Sequence, residues 1–261
     1  MRLVPSVMRR AASRLLQAYR LPRTHPRDVF IASYPRSGST WVRFLLANLV
    51  ARGSEQIDFQ TLPRYVPDLH IEEQWRTIRN MHSPRLLKTH ELPSRRFRRV
   101  IYLLRDGRDV AVSHYLYLCG LDRFDGSFLD FVRNTDIGPA RWAKHVSSWL
   151  ETPGRPAVFT VRYEDLLADT ADELRRMAEF AELPTDEKNV ERAVTRSNFA
   201  VMKKLQDTAG RPYDDTEGME HVRKGTAGQW KGWFDRPHTE AFEKIAGDVL
   251  RRLGYEDHAG S

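Results

Sequence analysis

Several short clusters along the chain combine cations, hydroxyls and a histidine in ways that suit binding an anion or moving a proton. The first reads YPRSGSTW, residues 34–41, between an apolar run and a helical one. Pro35 stiffens the exit from the run, and Gly38 permits a backbone turn and a close ligand approach closed to other residues. Ser37, Ser39 and Thr40 bring hydroxyls, and Arg36 brings a fixed cation with a planar fork of donors. The helix that follows adds free N–H groups and a partial positive charge at its start. Together these parts make an anion cradle. A nucleotide loop of the G-x-x-x-x-G-K-[ST] kind would need a second glycine and a lysine. Asp106 is a weak candidate for the acidic magnesium partner of such a loop, so ATP-dependent kinase chemistry is the alternative reading.

Three more clusters share this character. In VIYLLRDGRDVAVSHY, 100–115, Arg105 leaves an apolar run and Ser113 lies about two helical turns on; taken alone, Arg105, Asp106, Arg108 and Asp109 read as a charged helix start with local ion pairs. In KTHELP, 88–93, His90 has an intrinsic pKa near neutrality and can accept a proton at working pH; a lone histidine is more often structural, but the run's end and the pairing with Lys88 favour a chemical role. In RKGTAGQWKGWF, 223–234, two cations and a flexible glycine suit a flap over an anion, and Trp230, Trp233 and Phe234 suit its anchoring. None of the nine histidines stands at ligand spacing from Cys or acidic residues, so no metal site is expected.

These clusters need elements to hold them. DVFIAS (28–33), RLLK (85–88), RVIYLL (99–104) and AVFTVR (157–162) are continuous apolar runs, as in strands buried on both faces of a parallel sheet. Helices are expected over 39–51 and 107–118. PARWAKHVSSWLE puts Trp142, His145, Val146 and Trp149 on one face; TADELRRMAEFAEL opens with Thr170 and Glu173 at capping-box spacing and carries a Leu174, Met177, Ala178, Ala181 stripe. Phe242, Ile245, Val249 and Leu253 recur at helical spacing before Gly254. Strands alternating with helices predict a three-layer α/β fold, P-loop-like, with a central parallel sheet of about five strands and helices on both faces. In such folds ligands bind at the carboxyl ends of the strands. The irregular segment 52–84 reads equally well as a lid or acceptor-side wall and as a solvated insertion.

At 261 residues the chain suits one large domain, here taken as 28–261 after a basic helical segment, 1–27. That segment reads as a helix packed on the domain, with contact to an anionic membrane surface as the alternative. The net charge of +7 is spread along the chain, favouring an anionic small ligand over nucleic acid. A lone Cys119 rules out an internal disulfide and fits a reducing, cytoplasmic setting; no run is long and apolar enough to span a membrane.

The four clusters, in this order, resemble the sulfotransferases that use 3′-phosphoadenosine 5′-phosphosulfate (PAPS). Residues 34–41 resemble that family's Y-P-K-S-G-T-T-W loop, with Arg36 in place of the lysine common in cytosolic members. The resemblance implies that Arg36, Ser37, Gly38, Ser39 and Thr40 wrap the phosphosulfate and Trp41 stacks near the adenine; Arg105 and Ser113, matching R-x-x-x-D-x-x-x-S, would hold the 3′-phosphate. Arg223, Lys224 and Gly225 match the phosphate contacts of R-K-G-x-x-G-D-W-K-N-x-F, with Gln229 and Gly232 as departures and Val222 at a backbone-contact position. Tyr163 in VRYEDL matches the adenine-contact tyrosine, and Ser197 and Phe199 in SNFAVM would flank the nucleotide. KTHELP is similar to the K-T-H-x-P catalytic segment, with one extra residue before the proline. His90 would then be the base in an in-line transfer from PAPS, leaving 3′-phosphoadenosine 5′-phosphate (PAP), with Arg36 and Lys88 neutralising charge and a small molecule, lipid or glycan bearing a hydroxyl, or an amine, as acceptor. Residues 52–84 and 114–128 flank His90 and would shape the acceptor pocket, with Tyr115, Tyr117 and Phe124 admitting an apolar or ring-bearing acceptor.

Overall fold

The computed structural model describes residues 22–51, 56–151, 157–208 and 225–255. The expected N-terminal helix up to residue 21, and Val222, Arg223 and Lys224, lie outside the described residues.

The first apolar run forms β1 (Val29–Ser33), buried at every position, and the YPRSGSTW turn leads from it into α1 (Ser39–Val50). An irregular stretch follows, containing the short α2 (Trp75–Asn80), before β2 (Leu86–Thr89) and β3 (Arg99–Leu104). Then come α3 (Gly107–Gly120), α4 (Phe128–Arg133), α5 (Pro139–Glu151) and β4 (Ala157–Arg162). The chain continues through α6 (Tyr163–Ala168), α7 (Thr170–Ala181), α8 (Glu187–Arg196), α9 (Phe199–Thr208) and, later, α10 (Arg236–Arg252).

The sheet order is β2-β1-β3-β4, with every pair parallel. Alternate residues of β1 feed opposite cores. Val29 and Ile31 pack with α1, α7 and α8 through residues such as Phe44, Met177 and Val190. Phe30 and Ala32 pack with α3, α5 and α10 through Val112, Trp149 and Phe242. Because both faces are covered, the strands read as unbroken apolar runs. A buried ion pair, Arg85 to Asp28 at 2.5 Å, aligns the starts of β2 and β1.

Four strands are present among the described residues, against an expected five or so. What extends the sheet is a single parallel bridge, Asp68 to Lys88, on the outer edge of β2. The helix at 170 is capped one residue earlier than its spacing predicts. Asp169 accepts from the Asp172 N–H at 2.9 Å, while the Thr170 hydroxyl donates back to the Leu166 carbonyl. Thr170 is thereby the first helical residue rather than the cap. In α10 the buried stripe is Phe242, Ala246, Val249 and Leu250, whereas Ile245 and Leu253 are only partly covered.

Candidate active site

The carboxyl ends of the parallel strands open onto a cavity of about 650 Å³. Gly38, Ser39, Thr40 and Trp41 line one wall. Gly38 caps α1 with φ 101°, supplies no side chain, and leaves the first turn without an acidic residue or a side-chain cap. The Trp41 N–H turns back to the Gly38 carbonyl at 3.0 Å, and the Ser39 and Thr40 N–H groups, without a partner among the described residues, are open to an anion. Arg36 also takes a positive φ, 69°, a conformation costing a non-glycine residue on the order of 1–2 kcal/mol. That turn brings its Nε to the Ser113 hydroxyl at 3.2 Å and its guanidinium over the Tyr117 ring. The loop after β1 and helix α3 after β3 are thus joined by a cation.

Arg105 leaves β3 and stacks 4.3 Å over the Tyr163 ring. Its Nη2 donates to Asp109 Oδ2 at 3.2 Å and to the Thr226 carbonyl at 3.0 Å. Its Nε is buried with no partner among the described residues. The charged helix start forms the local pairs its sequence suggests, Arg105 with Asp109 and Arg108 with Asp106, and Arg105 also lines the cavity. Asp106, the weak magnesium candidate, caps α3 and holds Arg108. Asp109 also accepts from the Gly228 and Trp230 N–H groups, at 2.8 and 2.9 Å, and so ties down the segment that continues the RKG flap. Trp230 and Phe234 anchor that segment against the α10 side, as their types suggest.

An aromatic slot completes this end of the cavity. Trp41 meets Tyr163 edge to face at 5.7 Å, and Phe199, Met202 and Gly225 lie across from them. Ser37 and Ser197 do not line the cavity. Ser37 is 1% exposed, and Ser197, wholly buried, accepts from Asn48 Nδ2 at 3.1 Å.

At the end of β2, His90 Nδ1–H donates to the Ser33 carbonyl at 2.6 Å. The His90 carbonyl accepts from His145 Nε2–H at 3.2 Å, and His145 Nδ1 accepts from the Tyr102 hydroxyl at 2.9 Å. His70 stacks on His90 and accepts the His90 backbone N–H on Nε2 at 2.7 Å. Lys88, buried, pairs with Asp68 at 2.6 Å. Burial first, then the Lys88 charge, drives the His90 pKa well below the usual histidine value, with Asp68 and the Ser33 bond pulling the other way.

Asp68, His70 and Arg43 belong to the site without having been singled out from the sequence. Asp68 and His70 come from the irregular segment, which is a packed wall carrying buried Ile57, Leu62, Val66 and Leu69 rather than a solvated insertion. His114, Tyr117 and Leu118 of α3 line the same side. Tyr115 and Phe124 instead pack into a cluster with Phe128 and Phe131, away from the cavity.

A family model for the sulfotransferase domain matches residues 26–254. Sulfotransferase 1E1 of Homo sapiens is 31% identical over 242 residues, covering 84% of this chain and 82% of that protein. The chain is a member of the sulfotransferase family. Sulfotransferase 1 family member D1 of Rattus norvegicus is similar too, at 30% identity with 87% and 84% covered. Among solved structures, this sulfotransferase shares its fold with a mouse sulfotransferase complexed with PAP (TM-score 0.69, 19% identity, 92% of this chain and 91% of that one). Retinol dehydratase in complex with androsterone and the inactive cofactor PAP aligns at TM-score 0.64 and 25% identity, with 89% and 83% covered. The sulfotransferase uses PAPS as co-substrate and yields PAP. Its cavity fits such a ligand: a helix start without a cap, a buried arginine donor without a partner and an aromatic slot stand around one space. No described helix is long and apolar enough to cross a membrane.

Proposed function

We propose that this sulfotransferase moves the sulfuryl group in line to a hydroxyl or amine on a small molecule, with His90 as general base. The observation that carries the reading is the His90 Nδ1–H bond to Ser33 O. It assigns the proton to Nδ1 and leaves Nε2, which has no partner among the described residues, with its lone pair in the cavity wall. The depressed pKa keeps that nitrogen unprotonated at neutral pH, ready to take the acceptor's proton.

Bound PAPS supplies the sulfuryl group and an already activated leaving phosphate. In this reading Gly38, Ser39, Thr40 and Arg36 hold the phosphosulfate, and Lys88 neutralises charge at the bridging oxygen. Arg105 and Ser113, with Arg223 and Lys224 from outside the described residues, hold the 3′-phosphate. Trp41, Tyr163 and Phe199 take the adenine. Ser37 and Ser197 support the loop and slot from behind. Preorganised cations and N–H groups supply most of the acceleration, since they need no reorganisation as charge shifts.

His90→Ala tests the base. Turnover should fall by ~100-fold or more, with PAP affinity little changed. Weakened PAP binding with unchanged turnover of bound substrate would refute the assignment. A thermal-shift series tests the ligand: PAP at about 100 times its dissociation constant should stabilise by ~2.7 kcal/mol, and ATP with Mg²⁺ should do no better.

A further inference from the structure

Lys88 is 7% exposed, and its ammonium lies 2.6 Å from Asp68 Oδ2. The acid is built in, not met by chance. Asp68 Oδ1 accepts from the His70 N–H at 2.9 Å, and the Asp68 N–H donates to Gln74 Oε1 at 2.6 Å. Residues 67–69 run along the free edge of β2, where Lys88 N–H donates to Pro67 O and Leu69 N–H donates to Lys88 O, both at 2.9 Å. Backbone pairing therefore sets the separation of the two side chains. Facing the pair are Arg43 from α1, itself held by the Val66 carbonyl, then His90 from the end of β2 and His70 from the edge segment.

We propose that Asp68 is a positioning residue for Lys88, holding its ammonium at the strand end beside the phosphosulfate loop for presentation to the nucleotide. The inference rests on the reading above, in which Lys88 meets the oxygen between phosphate and sulfuryl group. An enclosed lysine without an acid sheds its proton readily. Burial is the largest influence on Lys88 and lowers its pKa, Asp68 opposes it, and Arg43 adds to the lowering. Burial also works to raise the Asp68 pKa, but Lys88 first, then Arg43 and His90, hold it at about 2. Asp68 thus stays ionised throughout the pH range in which Lys88 must stay charged. Its side chain bonds the Lys88 ammonium and the His70 N–H, with no hydrogen bond to His90 among the described residues, so it acts through the lysine.

The test is calorimetric PAP binding to the full chain from pH 6 to 10, alongside kcat and KM for PAPS. PAP keeps the 5′-phosphate oxygen that Lys88 faces in this reading. In Asp68→Asn the alkaline loss of affinity should begin about one pH unit lower than in the unaltered protein, giving about tenfold weaker binding between the two limbs. Asp68→Glu should restore the limb. Adding Lys88→Arg to Asp68→Asn should abolish it, because arginine keeps its proton. A purely structural role would lower the melting temperature without moving the limb. Coinciding limbs in the unaltered and Asp68→Asn proteins overturn this inference alone, as does a limb that persists with Lys88→Arg. Absence of PAP binding by the unaltered protein overturns the underlying sulfuryl-transfer reading instead.

Discussion

A β-carbon at Gly38 would stand 2.7 Å from Cδ2 of Tyr163, so the turn after β1 and the first residue of α6 meet with no space between them. Gly38→Ala would add both that collision and the cost of holding alanine at φ 101°. PAP affinity should fall at least about tenfold, because the collision displaces Tyr163, which contacts both Trp41 and Arg105. Calorimetry on the purified variant decides it; equal affinity would mean that the loop does not depend on this packing.

Arg105 lines the cavity, and its buried Nε has no partner among the described residues. Arg105→Ala should impair PAP binding first, and should erase the preference for PAP over adenosine 5′-phosphate. Competition binding with the two nucleotides reads this directly. Retention of the preference would place the 3′-phosphate elsewhere.

Asp109 joins that arginine to the flap through its bonds to Gly228 and Trp230. Charge-assisted bonds of this kind are roughly twice as strong as neutral ones. Asp109→Asn should therefore slow hydrogen exchange less effectively at 228–230 and weaken PAP about tenfold, with kcat less affected. Unchanged exchange protection there would show that Trp230 and Phe234 hold the flap without it.

Acid should weaken the fold through two histidines outside the proton-transfer step. Burial first lowers the His145 pKa to about 4, and burial with Arg36 and Arg141 lowers that of His114 to about 4. Unfolded, each takes a proton near 6.5; folded, each resists until about pH 4. Their contribution is complete above pH 6.5 and is lost as pH falls toward 4, on the order of 3 kcal/mol each at full development. Melting curves from pH 7.5 to 4.5 should show the decline, and His145→Gln should flatten it. A melting temperature constant from pH 7 to 5 would rule it out.

Much of this was legible in residue order. The four strands are written as apolar runs because both faces of each are covered, as Phe30 and Ile31 illustrate from opposite cores. The turn from β1 into α1 was legible because glycine, arginine and hydroxyls crowd the join between an apolar run and a helical one. Asp68 and His70 were not: no periodicity marks their segment, and their relevance arises only when it pairs with β2. Ser197 shows the opposite limit, since a pattern match places a residue along the chain but not its hydroxyl, which turns inward to Asn48. Thr170 was displaced from the cap by its neighbour Asp169, a stronger acceptor one position earlier.

Among the described residues every strand pairing is parallel, so no two of these strands are joined by a hairpin. Val29 must find Leu86 and Arg99, both far along the chain, before either ladder of β1 forms. Closing such long loops costs entropy ahead of the contacts that offset it, which slows folding and leaves apolar runs exposed meanwhile. During synthesis the first strand and its loop emerge well before their partners, and they stay unpaired until the middle of the chain has been made.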